Sequence, residues 1–221
     1  MIFAGEPTSL VDGRTVSFGA DAAGNWVTLR GGDGTEQRLA LARWPGGVGG
    51  MELVLSPDER YAALHVYSGQ STQGFELVRL APELSRLGGL PDTYGHGDAP
   101  VFSPDGRWLV SLMTSECRVR GTDQHFEVLQ DEHATTRVVV DWAQLPVLRL
   151  PDAVVQTFAV GVEIPLCTDI ERVHEFAAYG AVGFADDGAV VLRMPWGEHL
   201  RVALPVVEGI VSTDPRAAVE S

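Results

Sequence analysis

Two stretches of this chain carry nearly the same phrase. Leu55-Ser56-Pro57-Asp58-Glu59-Arg60-Tyr61-Ala62-Ala63-Leu64 returns as Phe102-Ser103-Pro104-Asp105-Gly106-Arg107-Trp108-Leu109-Val110-Ser111, with the two aspartates 47 positions apart. A fixed period of that size means one supersecondary unit used repeatedly. Each copy has an apolar, β-prone run on either side of a Ser-Pro-Asp turn. Proline presets a turn's second position, aspartate accepts bonds from nearby amides, and glycine tolerates positive φ. A strand, a tight turn and a second strand are therefore expected in each copy.

Fainter copies lie on both sides. Upstream stands Asp12-Gly13-Arg14-Thr15-Val16-Ser17-Phe18, and downstream Phe184-Ala185-Asp186-Asp187-Gly188-Ala189-Val190-Val191-Leu192. Leu150-Pro151-Asp152-Ala153-Val154-Val155 reads as a decayed copy. Ser-Pro-Asp-Gly-Arg between apolar strands resembles the WD40-like repeat of TolB-type β-propellers and of prolyl-oligopeptidase-like propeller domains. The resemblance is strong over 47–115 and faint out to about 8–205. It implies four-stranded antiparallel blades with the motif at the turn between inner strands, and it implies little about activity.

The expected fold is all-β and β-propeller-like, with four or five antiparallel blades and a ring that need not be complete. A single domain over 1–212 divides into blades at 1–46, 47–98, 99–151 and 152–205, followed by a frayed tail over 213–221. Within it, Gly31 to Gly34 reads as a hairpin turn. The segment 81–97 reads as a long polar excursion with a helical turn near Glu83 to Leu87. Pro146 to Leu150 reads as an outermost strand. Ile2 to Ala4 or Val206 to Ser212 is expected to complete a terminal blade. Where closure fails, edge strands are a liability, and a homodimer pairing edge to edge or building a larger ring is the natural remedy.

Composition excludes several chemistries. All 16 basic residues are arginine. Without lysine there is no Walker A phosphate lysine, no Schiff-base lysine and no kinase-type phosphate lysine. The Gly-x-Gly-x-x-Gly, Gly-x-Ser-x-Gly and His-Glu-x-x-His signatures are missing as well. A net charge of −14 argues against nucleic acid, which needs a basic face. No apolar run approaches the ~20 residues that span a bilayer. The opening residues Met1 to Glu6 lack a basic, then apolar, leader, so a cytoplasmic protein is expected. Cys117 and Cys167 read as two buried free thiols, too few for a cysteine-rich zinc site.

Residues that recur in every copy carry a repeated structural duty. Asp12, Asp58, Asp105 and Asp187 are thus read as turn residues, with Arg14, Arg60 and Arg107 sharing that duty. His65 aligns with Leu112 and reads as a core histidine. Residues that break the repeat are better binding candidates: Tyr94, His96 and Asp98 in one loop, and Asp123, His125, Glu127, Asp131 and His133 in another. A solvated acidic loop is the bland reading of the second group. Asp169, Glu171, His174 and Glu175 form a third, but strand alternation splits them between two faces.

The function expected from these features is a non-catalytic interaction module, with loops 81–98 and 119–136 presented to a protein or peptide partner of basic character. No cofactor or metal is required by that reading. A small metal-assisted hydrolase or lyase is the alternative, its ion held by two or more of His96, His125, His133 and His174. A sugar- or small-molecule-binding propeller is the third reading, with Trp44, Trp142 and Trp196 lining a pocket.

Overall fold

The computed structural model describes residues 3–41, 49–67, 72–94, 97–133, 135–167, 181–194, 197–206 and 208–212. It is almost entirely β-structure in four sheets, and the order of sheets follows the chain. The first holds β1 (Phe3–Ala4), β2 (Thr8–Ser9), β3 (Thr15–Asp21), β4 (Gly24–Arg30) and β5 (Glu36–Ala40); β1 and β2 both pair with β3. The second is a four-stranded meander, β6 (Gly50–Leu55), β7 (Tyr61–Tyr67), β8 (Thr72–Arg79) and β9 (Ser85–Tyr94). The third combines β10 (Val101–Phe102), β11 (Trp108–Val110), β12 (Met113–Val119), β13 (Arg137–Arg149), β14 (Val154–Pro165) and the late β18 (Ile210–Ser212). The fourth has β15 (Ala181–Phe184), β16 (Val190–Arg193) and β17 (His199–Val202). One short helix, α1 (Phe126–Leu129), interrupts the third.

The repeated phrase builds one turn. In both strong copies the serine hydroxyl donates to the aspartate (Ser56 to Asp58 and Ser103 to Asp105, each 2.7 Å). The same hydroxyl accepts the amide at the start of the next strand, Tyr61 at 3.0 Å and Trp108 at 2.9 Å. Each aspartate then accepts the amide two residues on, at Arg60 and Arg107. The fainter copies keep only this last bond, from Asp12 to the Arg14 amide and from Asp187 to that of Ala189. Arg14 and Arg107 also close onto Asp12 and Asp105. The Ser103 hydroxyl, then the Arg107 amide and guanidinium, lower the Asp105 carboxyl to about 2. The turns touch one another: the Val11 amide donates to Glu59 at 2.6 Å, and Gly106 lies beside the Asp58 carboxylate. Gly13, Gly106 and Gly188 have positive φ, and Glu59 takes the same conformation at φ 53°.

The sheets stack through three apolar seams. Val16, Phe18, Val27 and Leu29 of the first meet Leu64, Val66 and Val78 of the second. Ala63, Phe75 and Leu77 of the second meet Phe102, Leu109 and Leu148 of the third. Trp142, Leu145, Val160 and Val162 of the third meet Val190, Leu192 and Met194 of the fourth. No apolar cluster among the described residues joins the fourth sheet to the first. The faces turned away from these seams include polar residues. Ser17, Thr28 and Arg38 are in register on one, with the Arg38 guanidinium 4.7 Å above the Trp26 ring. Arg193 and His199, and Val191 and Arg201, lie in register on the other.

Several expectations are corrected. Residues 85–94 form strand β9, not a polar excursion with a helical turn. Gly88 and Gly89 sit among its register irregularities against β8, which is why the segment reads as loop. Pro146 to Arg149 belongs to β13, with Leu150 just past its end, and β14 pairs outside it along 12 residue positions. The division expected at 151/152 therefore runs through a hairpin. The phrase at Leu150 to Ala153 is the turn of that hairpin, not an inner blade turn. The first and last described strands join other sheets than the fourth: β1 pairs with β3 of the first, and β18 runs parallel to β14 of the third. Cys117 is buried and Cys167 is exposed, both as free thiols. Burial pushes the Cys117 thiol up to about 11.

His65 is buried at the seam of the second and third sheets, where Nε2 lies 3.2 Å from Gln73 Oε1 and Nδ1 has no partner among the described residues. Burial lowers its basicity against the opposing pull of Gln73, Glu52 and Asp98. The unfolded chain therefore takes up this proton first as pH falls. His65 contributes its full stability above the ordinary histidine value of 6.5 and loses it as pH drops through its lower folded value. Denaturant titrations from pH 8 to 5 should show that slope, and it should be missing in His65→Gln. At the turn, Ser103→Ala strips the Trp108 amide and Asp105 of their shared partner. It should cost about 1–3 kcal/mol in the same measurement.

Candidate functional site

The third sheet departs most from a simple blade. Its strand β13 runs through Pro146, because the break between β11 and β12 falls opposite that residue. The Pro146 carbonyl accepts the Ser111 amide at 3.1 Å, so no N–H is needed there. Beyond the proline, β12, β13 and β14 extend as a ribbon past the blade. Two irregularities coincide on it. Trp142 is an extra residue between Asp141, opposite Gly161, and Ala143, opposite Val160. Across from it, residues 115–117 of β12 bulge between the pairs Thr114–Ala143 and Arg118–Asp141. Bulges bend a strand and re-aim its side chains.

A recess of about 500 Å³ opens beside this doubled bulge, lined by Glu116, Arg118, Arg120, Thr122, Asp141 and Gln144 with small residues between them. Arg120 is its anchor. Nε and Nη2 donate to Asp141 Oδ1 at 2.8 and 2.6 Å, and Nη2 reaches the carbonyls of Ile210 and Ala159 at 3.2 and 3.5 Å. One guanidinium thereby ties β12, β13, β14 and β18 together. Gly161 makes room for the carboxylate: a Cβ there would stand 2.7 Å from Asp141 Oδ1. Arg118 donates to Glu116 at 2.7 Å and holds that carboxyl below the usual range. The recess thus has two arginines and two carboxylates, fixed in pairs.

The residues singled out from the sequence are placed apart. His125 comes nearest the recess, with Nε2 3.7 Å from Glu116 Oε2. Asp123 is exposed in the turn after β12, and Glu127 is exposed on α1. Asp131 and His133 are exposed and meet only through the His133 amide, which donates to Asp131 at 3.0 Å. Asp98 is exposed near His65, at the far seam. Tyr94 ends β9, but its side chain lies outside the described residues, as do His96, Asp169, Glu171, His174 and Glu175. Among the described residues no three His, Cys, Asp or Glu side chains are grouped to hold a metal ion. Trp142 is fully buried in the third seam, so it lines no sugar pocket; Trp44 and Trp196 lie outside the described residues. The recess residues themselves were missed. Their signal is the alternation Glu116-x-Arg118-x-Arg120, which puts three charges on one face of a strand.

No protein-family model matches this chain, and no curated protein matches it. Solved structures do. Prolyl oligopeptidase B from Galerina marginata, bound to a 35mer hydrolysis and macrocyclization substrate, matches at a TM-score of 0.50 and 15% identity over 94% of this chain and 30% of that one. Acylaminoacyl peptidase from Pyrococcus horikoshii matches at 0.44 and 11% over 91% and 32%. Hydrazine synthase from Kuenenia stuttgartiensis matches at 0.40 and 14% over 90% and 53%. The chain spans about a third of the length of the two peptidases. The likeness to the first shows a β-propeller-type fold. No described helix is long and apolar enough to cross a membrane.

The Arg120 anchor is open to test. Arg120→Ala leaves the Asp141 carboxylate part-buried without its cation and frees one end of β18. Stability should fall by about 1–3 kcal/mol. Hydrogen exchange should quicken at Val211 and Ser212 well before it does in the first sheet. Unchanged exchange there would remove Arg120 from this role.

Proposed function

We propose that this chain is a non-catalytic interaction module of the TolB-like type, binding a protein or peptide partner at the recess on its third sheet. The observation that carries the reading is how the recess holds its charges. Arg120 is fixed on Asp141, and Arg118 keeps Glu116 as a carboxylate. General acid–base work needs a group poised near the working pH. Charges locked in place instead match the charges of a partner and set its register. The recess is built on β12, β13 and the tight turn after β12, with its arginines already held by ion pairs, so little order must be gained on binding. The net charge of −14 favours a basic partner, drawn in over a distance and weakened by salt.

The test is affinity capture from the native host's extract on immobilised protein, with two charge reversals compared. Arg118→Glu alters the recess, whereas Arg30→Glu alters the exposed edge of the first sheet. The captured partner should fall about tenfold or more with the first and persist with the second. Equal capture by both would reject the recess as the contact. Hydrolytic turnover that disappears in Asp141→Asn would reject the non-catalytic reading.

A further inference from the structure

Strand β14 is covered on one side by β13 along its length, and on the other, among the described residues, by β18 at residues 160–162. Among the described residues no strand lies against 154–158 on that outer side. Three other outer edges are guarded. Strand β5 carries Glu36 and Arg38, β17 carries His199 and Arg201, and β9 carries Arg86, Pro91 and its glycine irregularities. Charges, prolines and bulges are the usual defences of a sheet edge. The open stretch of β14 is Val154-Val155-Gln156-Thr157-Phe158, with none of them. Val154 is 58% exposed.

We infer that this edge is a homodimer interface, in which β14 of one copy pairs antiparallel with β14 of another about a twofold axis through Gln156. The backbone supports that register. The Pro146 carbonyl points toward Ser111, away from β14, and Pro146 stands opposite Thr157. That pair makes no bond across the two strands, so the Thr157 N–H and C=O face the open edge. Val155, two residues away, faces the same way. Centring the axis on Gln156 sets Val155 of one copy opposite Thr157 of the other, twice. All four N–H and all four C=O groups of those residues are then paired. The side chains agree. Val154 falls opposite the partner's Phe158, two Gln156 amides meet at the axis, and β-branched Val155 meets Thr157. The pairing ends before β18 begins.

Charge sets the condition. Two copies at −14 each repel, and an uncharged strip is where they can approach. Self-association should therefore strengthen with added salt, opposite in sign to capture of a basic partner at the recess.

The experiment is sedimentation equilibrium over a range of protein concentrations at low and high salt, on wild type, Gln156→Lys, Gln156→Glu and their equimolar mixture. Wild type should dimerise, more tightly in high salt. Each charged variant alone should weaken the dimer by roughly fivefold or more, since like charges then stand opposite. The mixture should restore it by pairing unlike charges at the axis. Thermal melts matching wild type establish that both variants fold. A wild type that stays monomeric throughout, or a dimer indifferent to both substitutions, overturns the inference. So does a mixture no tighter than its components.

Discussion

A sheet has two faces, and one of them must be covered by something other than water. That constraint governs this molecule. None of the four sheets encloses a core of its own, so each depends on a neighbour, and the three seams are where that dependence is met. Repeat architectures of this kind gain stability from unit-to-unit contacts, and their terminal units need polar outer faces. Among the described residues no apolar cluster is shared by the first and fourth sheets, so each of these depends on the seam it makes with its neighbour in the chain.

Much of this was legible in the sequence because the turn is local. Ser-Pro-Asp needs only its own residues and the next strand's first amide to close, so its chemistry is written in consecutive letters. The seams follow from alternation in runs such as Tyr61 to Tyr67. What could not be read was long-range. Strand β9 looks like loop because Gly88, Gly89 and Pro91 are poor strand formers in isolation, yet an edge strand tolerates them. The end of the third sheet was hidden for a similar reason. Pro146 looks like a strand terminator until the break between β11 and β12 is known to lie opposite it.

The recess was less legible than the fold. Asp123, His125, Asp131 and His133 drew notice because they are reactive types close together in sequence. Closeness along a loop does not bring side chains to a common point, and here they spread outward. The residues that do converge are Glu116 and Arg118 of β12, Arg120 in the turn after it, and Asp141 of β13, 21 or more positions on, and two bulges bring them together. A bulge has no reliable signature in one sequence. Its consequence, a charged residue set into an otherwise apolar strand as Asp141 follows Val138 to Val140, is the nearest thing to one.

The same irregularity also explains why β14 is left with an open edge. A ribbon that outgrows its blade acquires extra edge length, and among the described residues three of β18 pair along it. Arg120 fixes β18 at one end, through the Ile210 carbonyl, and the Ser212 hydroxyl fixes the other on Glu198, just before β17. That strand is thus committed to the part of β14 nearest the recess. Residues 154–158 fall outside its reach, and they are a part that carries no charge. In a chain this acidic, a neutral stretch of five residues on an exposed edge is where two like-charged molecules meet least repulsion, so the surface left over by the ribbon is also the surface best suited to a second copy.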